Sequence, residues 1–297
     1  MKKKLSKKYS PLNLNVDRLA KMTTFGHVAS VVRWNMFEIN PEGQTVVLPS
    51  LGGVVYDYNL GDPVNKFDAD HLQPCVTIQA DINHEPSSDE NFALFTYACI
   101  GNEVMIVDRE SMAINCMGVV IGKHGAVNYV MVQFNPKDLP KITHQDKVKV
   151  ELYGRGLRDL TYKDISFANI DPTILLAIPI KETVENKVIS FPVVMEIPAE
   201  AMGSGLGTVE VSSDYDIMSS AGYDDRLKIG DFVCIKDHFT KTGPSLYKGA
   251  KTIAVVVHGS CIDPGHGPGV LPVMTCKTEQ LQINIDKNSN LKKYIGR

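Results

Sequence analysis

The 297-residue chain is 43% hydrophobic and 22% charged, a globular balance with length for one large domain or two ordinary ones. Of its 31 basic residues, Lys2, Lys3, Lys4, Lys7 and Lys8 lie in the first ten positions, so the remainder carries 26 basic against 34 acidic residues. So acidic a body is poor footing for a phosphate backbone, which argues against nucleic acid as a partner, and no apolar run reaches the ~18–20 residues of a membrane helix. Residues 1–16 read as a basic, solvated tail, with no apolar segment of a secretory signal behind the lysines. The six cysteines (Cys75, Cys99, Cys116, Cys234, Cys261, Cys276) form no Cys-x-x-Cys pair, and several sit in apolar runs. They read as reduced, buried thiols of a cytoplasmic protein.

In chain order, short β-branched runs bounded by Gly, Pro, Asn or Asp predict strands at 28–32, 45–48, 54–58, 119–121, 129–134, 147–152, 193–197, 232–235 and 252–257. Asn91 is placed to cap a helix over 92–100, and Asp171-Pro172 supplies a cap and first-turn proline for 173–178. The expected class is mainly β with short inserted helices. Gly61-Asp62 follows one predicted strand; Gln145-Asp146 and Gly230-Asp231 each precede another. Glycine admits the left-handed φ of a tight turn, and Asp ties its carboxylate to nearby N–H groups. Such turns resemble the GD box of cradle-loop barrels and favour a RIFT-like β-barrel over a sandwich. With a boundary near Asn135-Pro136, the expected layout is a barrel-like domain over 17–135 and a β-rich domain over 136–297, closely packed.

Several strings recur in a recognisable order: Gly52-Gly53-Val54-Val55-Tyr56, Cys99-Ile100-Gly101-Asn102-Glu103, Gly122-Lys123-His124-Gly125, Met202-Gly203-Ser204-Gly205, Asp214-Tyr215-Asp216-Ile217, Tyr247-Lys248-Gly249-Ala250 and Gly265-His266-Gly267-Pro268-Gly269-Val270. In this order and spacing the chain resembles the bacterial family catalogued as domain of unknown function 4438, from about Asn15 onward. The resemblance implies a barrel-containing fold and carries no activity with it.

Potential ligands concentrate in the C-terminal half. Asp214 and Asp216 stand two apart, so in extended chain both carboxylates share one face. His238 and His258 end apolar strands, and His266 sits eight residues further on among glycines. Carboxylate and imidazole together suit Zn²⁺, Mn²⁺ or Fe²⁺, with Asp214, Asp216, His238 and His258 as the expected ligands. His266 is the candidate general acid, with the N–H groups of Gly267 and Gly269 as an oxyanion loop. Lys123 and His124, in an expected turn after 119–121, and Ser204 are candidate ligand contacts. The glycines of 203–207 are spaced G-x-G-x-G and are followed by no helical pattern, which rejects a dinucleotide loop.

Two functions follow. One is a metal-assisted hydrolase of a small amide or cyclic amide. The last third of the chain is similar in motif order to acetamidase/formamidase proteins, although its Gly-His-Gly-Pro-Gly loop lacks their acidic residue. The alternative is a non-catalytic barrel holding a small anion or metabolite through its glycine loops, Lys123 and His124. Either would be a homo-oligomer, since many short strands leave edges to be covered.

Overall fold

The computed structural model describes residues 10–33, 35–83, 85, 87–183, 187–203 and 213–295. The lysine-rich stretch at 2–8 and Ser204 lie outside the described residues. The chain is mainly β, and the expected barrel is present as a closed, antiparallel ring. Around it run Met22–Val28, Lys147–Leu152, Glu103–Ile106, Met117–His124, Tyr129–Phe134 and Val76–Gln79, the last pairing back onto the first. Inward-facing Val28, Ile78, Val104, Ile106, Val120, Val130, Val132, Val148 and Val150 fill it. Closure leaves the ring without an edge. The barrel extends past Asn135-Pro136, where the sequence suggests a boundary, because Lys147–Leu152 supplies its last strand.

A second sheet is ordered Ile165–Phe167, Gly269–Cys276, Ser245–Val256, Phe232–Phe239, Met195–Pro198, with the short strand Tyr215–Asp216 paired to Gly269–Cys276. A three-stranded sheet (Lys181–Thr183, Val188–Val193, Leu281–Ile285) packs beside it. The two halves share one core: Ile121 and Met131 of the barrel join Val257, Val270, Phe232 and Ile253 of the sheet.

The three Asp turns behave alike. Asp62, Asp146 and Asp231 each accept, through Oδ2, the N–H three residues earlier: Asn59 at 2.9 Å, Thr143 at 2.8 Å and Lys228 at 2.9 Å. The residue before each Asp is left-handed, Gly61 at φ 91°, Gln145 at 70° and Gly230 at 87°. Helix Asp89–Tyr97 starts one turn earlier than expected, capped by the Ser88 hydroxyl, which accepts from the Asn91 N–H. Asn91 instead accepts the Ala80 and Asp81 N–H groups through its side chain. Helix Pro172–Ala177 has the expected Asp171 cap. The run at 54–58 makes only a bridge from Val54 to Val76, because Tyr58 turns into the core and donates to the Val64 carbonyl.

Candidate metal centre

The short pairing of Tyr215–Asp216 with Gly269 and Val270 sets the site. It lays Asp214 and Asp216 beside the segment that leaves strand Ser245–Val256 and carries His258. His258 is fully buried, and its Nε2 lies 3.2 Å from both Asp214 Oδ2 and Asp216 Oδ1. His258 Nδ1 stands 2.9 Å from the Gly259 carbonyl. A carbonyl only accepts, so Nδ1 carries a proton, and Nε2 is the ring atom that faces the two carboxylates. Among the described residues neither His258 Nε2 nor Asp214 Oδ2 meets a partner at full hydrogen-bond geometry, although both are buried. The ring lies against Gly269, where a Cβ would stand 2.0 Å from Nε2, so only glycine admits this histidine.

Each carboxylate has a second contact. Asp214 Oδ1 accepts the Gly125 N–H at 2.8 Å, and Asp216 Oδ2 accepts from His266 Nδ1 at 2.7 Å. Burial opposes ionisation of both acids; His124 and His258 around Asp214, and His258 and His266 around Asp216, more than reverse it and hold both below the usual carboxylate range. For His258, burial disfavours the cation, and the two carboxylates outweigh it, raising the ring well above 6.5.

The barrel supplies the opposite wall. His124, at the end of Met117–His124, stacks on His258 at 4.8 Å between ring centroids. Gln73 Oε1 accepts from the Gly52 N–H and the Thr77 hydroxyl, so its amide nitrogen donates to His124 Nδ1 at 2.8 Å. Burial pushes the His124 ring down to about 4. His71, 5.5 Å from His258 and 5.3 Å from His266 by centroid, donates from Nδ1 to Asp70 Oδ2 at 2.8 Å. Burial works against its cation, but Cys261 and Asp70 beside it raise the ring well above 6.5. Asp70 Oδ1 accepts from the Ile262 and Asp263 N–H groups and pins the two halves together at the site. Ligand atoms of three groups gather within 4.8 Å: His124 with Asp214 and His258; His71 with Asp216 and His266; Asp70 with His71 and Cys261. His71, His124 and His266 border a cavity of about 200 Å³ whose lining also includes Glu38, Asp70, Asp214, Asp216 and Asp263 and, among the described residues, no Lys or Arg; Arg33 pairs with Glu38 at its edge.

Of the residues singled out in the sequence, Asp214, Asp216, His258, His266 and His124 meet here. His238 does not. It lies in strand Phe232–Phe239 beyond a bulge, with Nδ1 3.2 Å from the Thr252 hydroxyl and its ring edge on Tyr215. Lys123 and His124 occupy a strand rather than a turn, so they take opposite faces. Lys123 is buried away from the cavity, donating to the Phe95 carbonyl and Asn169 Oδ1 at 2.8 Å each. The Gly269 N–H faces His258 Nδ1 at 3.3 Å, and the Gly267 carbonyl accepts from the Cys261 thiol at 2.8 Å. Sequence reasoning missed His71, Gln73 and Cys261. The one local signal was His258, Cys261 and His266 falling within nine residues.

Fold and site together define a two-lobed β-barrel protein with a buried carboxylate–imidazole cluster between its lobes. The chain belongs to the family of the domain of unknown function DUF4438: the N-terminal family model matches residues 37–176 and the C-terminal model residues 177–295. It is similar to the solved crystal structure of TM1086, at 36% identity over 95% of this chain and 99% of that one, with a TM-score of 0.89. No curated protein matches it. No helix among the described residues is long and apolar enough to cross a membrane.

Proposed function

We propose that Asp214, Asp216 and His258 hold a divalent ion, Zn²⁺, Mn²⁺ or Fe²⁺, and that the protein uses it to hydrolyse a small amide or cyclic amide. The observation that carries this is the pair of 3.2 Å separations at His258 Nε2. An imidazolium N–H would point at one carboxylate at about 2.7–2.9 Å, whereas this nitrogen stands 3.2 Å from both. Ligand atoms ~2.1 Å from a common ion stand about 3.0 Å apart in an octahedron and about 3.4 Å apart in a tetrahedron. Each of the two His258–carboxylate separations falls between these values. Carboxylate oxygens and imidazole form the donor set that such ions prefer, and three protein ligands leave a position open for substrate or water.

Bound there, the ion would polarise a carbonyl and ready water for attack at neutral pH. The cavity of about 200 Å³ limits the substrate to a small molecule. With Nδ1 anchored on Asp216, His266 keeps Nε2 for delivering a proton to the departing nitrogen. The acidic lining and the position of Lys123 speak against anion capture. All six cysteines are free thiols, which suits work in the cytoplasm.

Elemental analysis after loading with each metal tests the first step. At least one equivalent per chain is expected, lost in His258→Ala; a protein that takes up none of the three overturns the metal reading. A panel of small amides, lactams and hydantoins, with and without chelator, tests the second. His266→Ala should keep its metal while turnover falls ~10²–10⁴-fold. If the loaded protein turns over no compound, or His266→Ala matches the parent, the hydrolase assignment fails.

A further inference from the structure

We infer that His124 is not a ligand of the ion but a neutral hydrogen-bond donor aimed at the oxygen of a bound carbonyl, with Gln73 setting its tautomer. The inference rests on the reading that an ion sits on Asp214, Asp216 and His258. Proximity alone would make His124 a further ligand, since its nitrogen falls within 4.8 Å of those on Asp214 and His258. The hydrogen bonds say otherwise. Gln73 is buried, and its carbonyl oxygen is taken by two donors, the Gly52 N–H at 3.0 Å and the Thr77 hydroxyl at 2.9 Å. Rotating the amide would turn its NH₂ onto the Gly52 N–H, which can only donate, and leave that buried backbone group without its acceptor. The amide nitrogen therefore donates to His124 Nδ1, which must offer its lone pair. The proton of the neutral ring is on Nε2, and a protonated nitrogen cannot bind a metal.

This arrangement is the reverse of that at His258 and His71. Those rings turn Nδ1 to the Gly259 carbonyl and to Asp70, as metal-binding imidazoles do, which leaves Nε2 for a metal once its proton is displaced. His124 lines the cavity and stacks on His258, so its N–H would border the space in which a substrate meets an ion held there. There a neutral imidazole supplies an electrophile for a carbonyl whose oxygen gains charge during attack, as in enzymes that keep such a histidine uncharged. Asp214, 90 residues away in sequence from His124, is bound by the adjacent Gly125 N–H, which fixes donor and ligand relative to one another.

The test is a ¹⁵N-resolved histidine NMR spectrum of the full-length protein, metal-free and Zn²⁺-loaded, together with Zn²⁺ affinities of variants. His124 is expected as the Nε2–H tautomer in both states. Gln73→Glu, whose carboxylate only accepts, should switch it to Nδ1–H. His124→Gln and His124→Asn should each bind Zn²⁺ with less than the ~10-fold loss that follows damage to a metal ligand's surroundings. A His124 ring found as Nδ1–H, or loss of Zn²⁺ from both variants while they remain folded, overturns the inference. A parent protein that binds no Zn²⁺ while His124 shows Nε2–H removes the ion and leaves the tautomer standing, so the two readings fail separately.

Discussion

His238 shows what a buried imidazole does when, among the described residues, no acid stands beside it. Its side chain touches the Thr252 hydroxyl and Tyr215, and burial without a charged partner pushes its pKa down to about 4. In the unfolded chain the same ring titrates near 6.5. Between those values the unfolded state binds a proton that the native state refuses, so stability falls as pH falls. The contribution is whole above 6.5, declines below it and is gone once pH passes 4, a loss of up to about 3 kcal/mol. Urea unfolding of the parent and of His238→Gln should therefore converge by an amount of that order between pH 7 and pH 4. The depressed His124 contributes equally to both curves and cancels. Parallel curves would show that His238 charges freely in the native protein. At this scale the sequence pointed to the right residue types more reliably than to their directions. Its place at the end of an apolar strand put His238 among the expected ligands, but the bulge after Lys236, with Asp237 at φ 57°, changes the face that follows. Lys123 was misjudged for a related reason: flanking glycines suggested a turn, yet they serve close approach. A Cβ on Gly125 would stand 1.9 Å from the Ser213 hydroxyl, and one on Gly122 would stand 2.7 Å from Val257.

Among elements, the Asp turns were the most legible feature, because everything that makes them lies within four residues. The left-handed residue, the acceptor and the N–H it satisfies are local. They differ in what else depends on them. Asp146 also accepts from the Thr143 and Ser111 hydroxyls and is buried, whereas Asp62 is half-exposed and contacts Lys66. Asp146→Ala should cost about 2–3 kcal/mol in denaturant unfolding, and Asp62→Ala about 1 or less, since water can replace its contacts. Equal and small losses would mean that the carboxylates only decorate turns that the backbone makes by itself. The second sheet was legible in the same local way. Asp214, Asp216, His258 and His266 come together through one strand pairing inside a stretch of about fifty residues. His71, Gln73 and His124 join only when the lobes dock, and no periodicity or spacing within one lobe encodes that contact.

At the scale of the whole molecule, the site is also the seam. Asp214 accepts from Gly125 of the barrel; Asp70 of the barrel loop accepts from Ile262 and Asp263; and the Asp62 and Asp231 turns are stitched by Gly61 N–H to the Ile229 carbonyl at 2.8 Å and Ile229 N–H to the Asp62 carbonyl at 2.9 Å. With a shared apolar core beneath these contacts, neither lobe exposes its docking face without also losing core packing. The protein should therefore unfold as one unit, although two family models divide it at 176/177. An ion bound to the native state alone stabilises it by RT ln(1 + [L]/Kd), about 2.7 kcal/mol when the free ion is at 100 times its Kd. For a chain of this length each kcal/mol moves Tm by roughly 2 °C, so loading should raise Tm by about 5 °C. The proposed ligands Asp214, Asp216 and His258 all belong to the second lobe, which makes the shape of the transition the informative readout. In a cooperative molecule, calorimetry shows one peak that moves as a whole, because Asp214 passes the constraint to the barrel through Gly125. Two peaks, of which only the later-chain lobe responds to metal, would mean that the seam is weaker than its hydrogen bonds suggest. In that case His124, carried by the other lobe, would not be held against the ion firmly enough to act on a substrate.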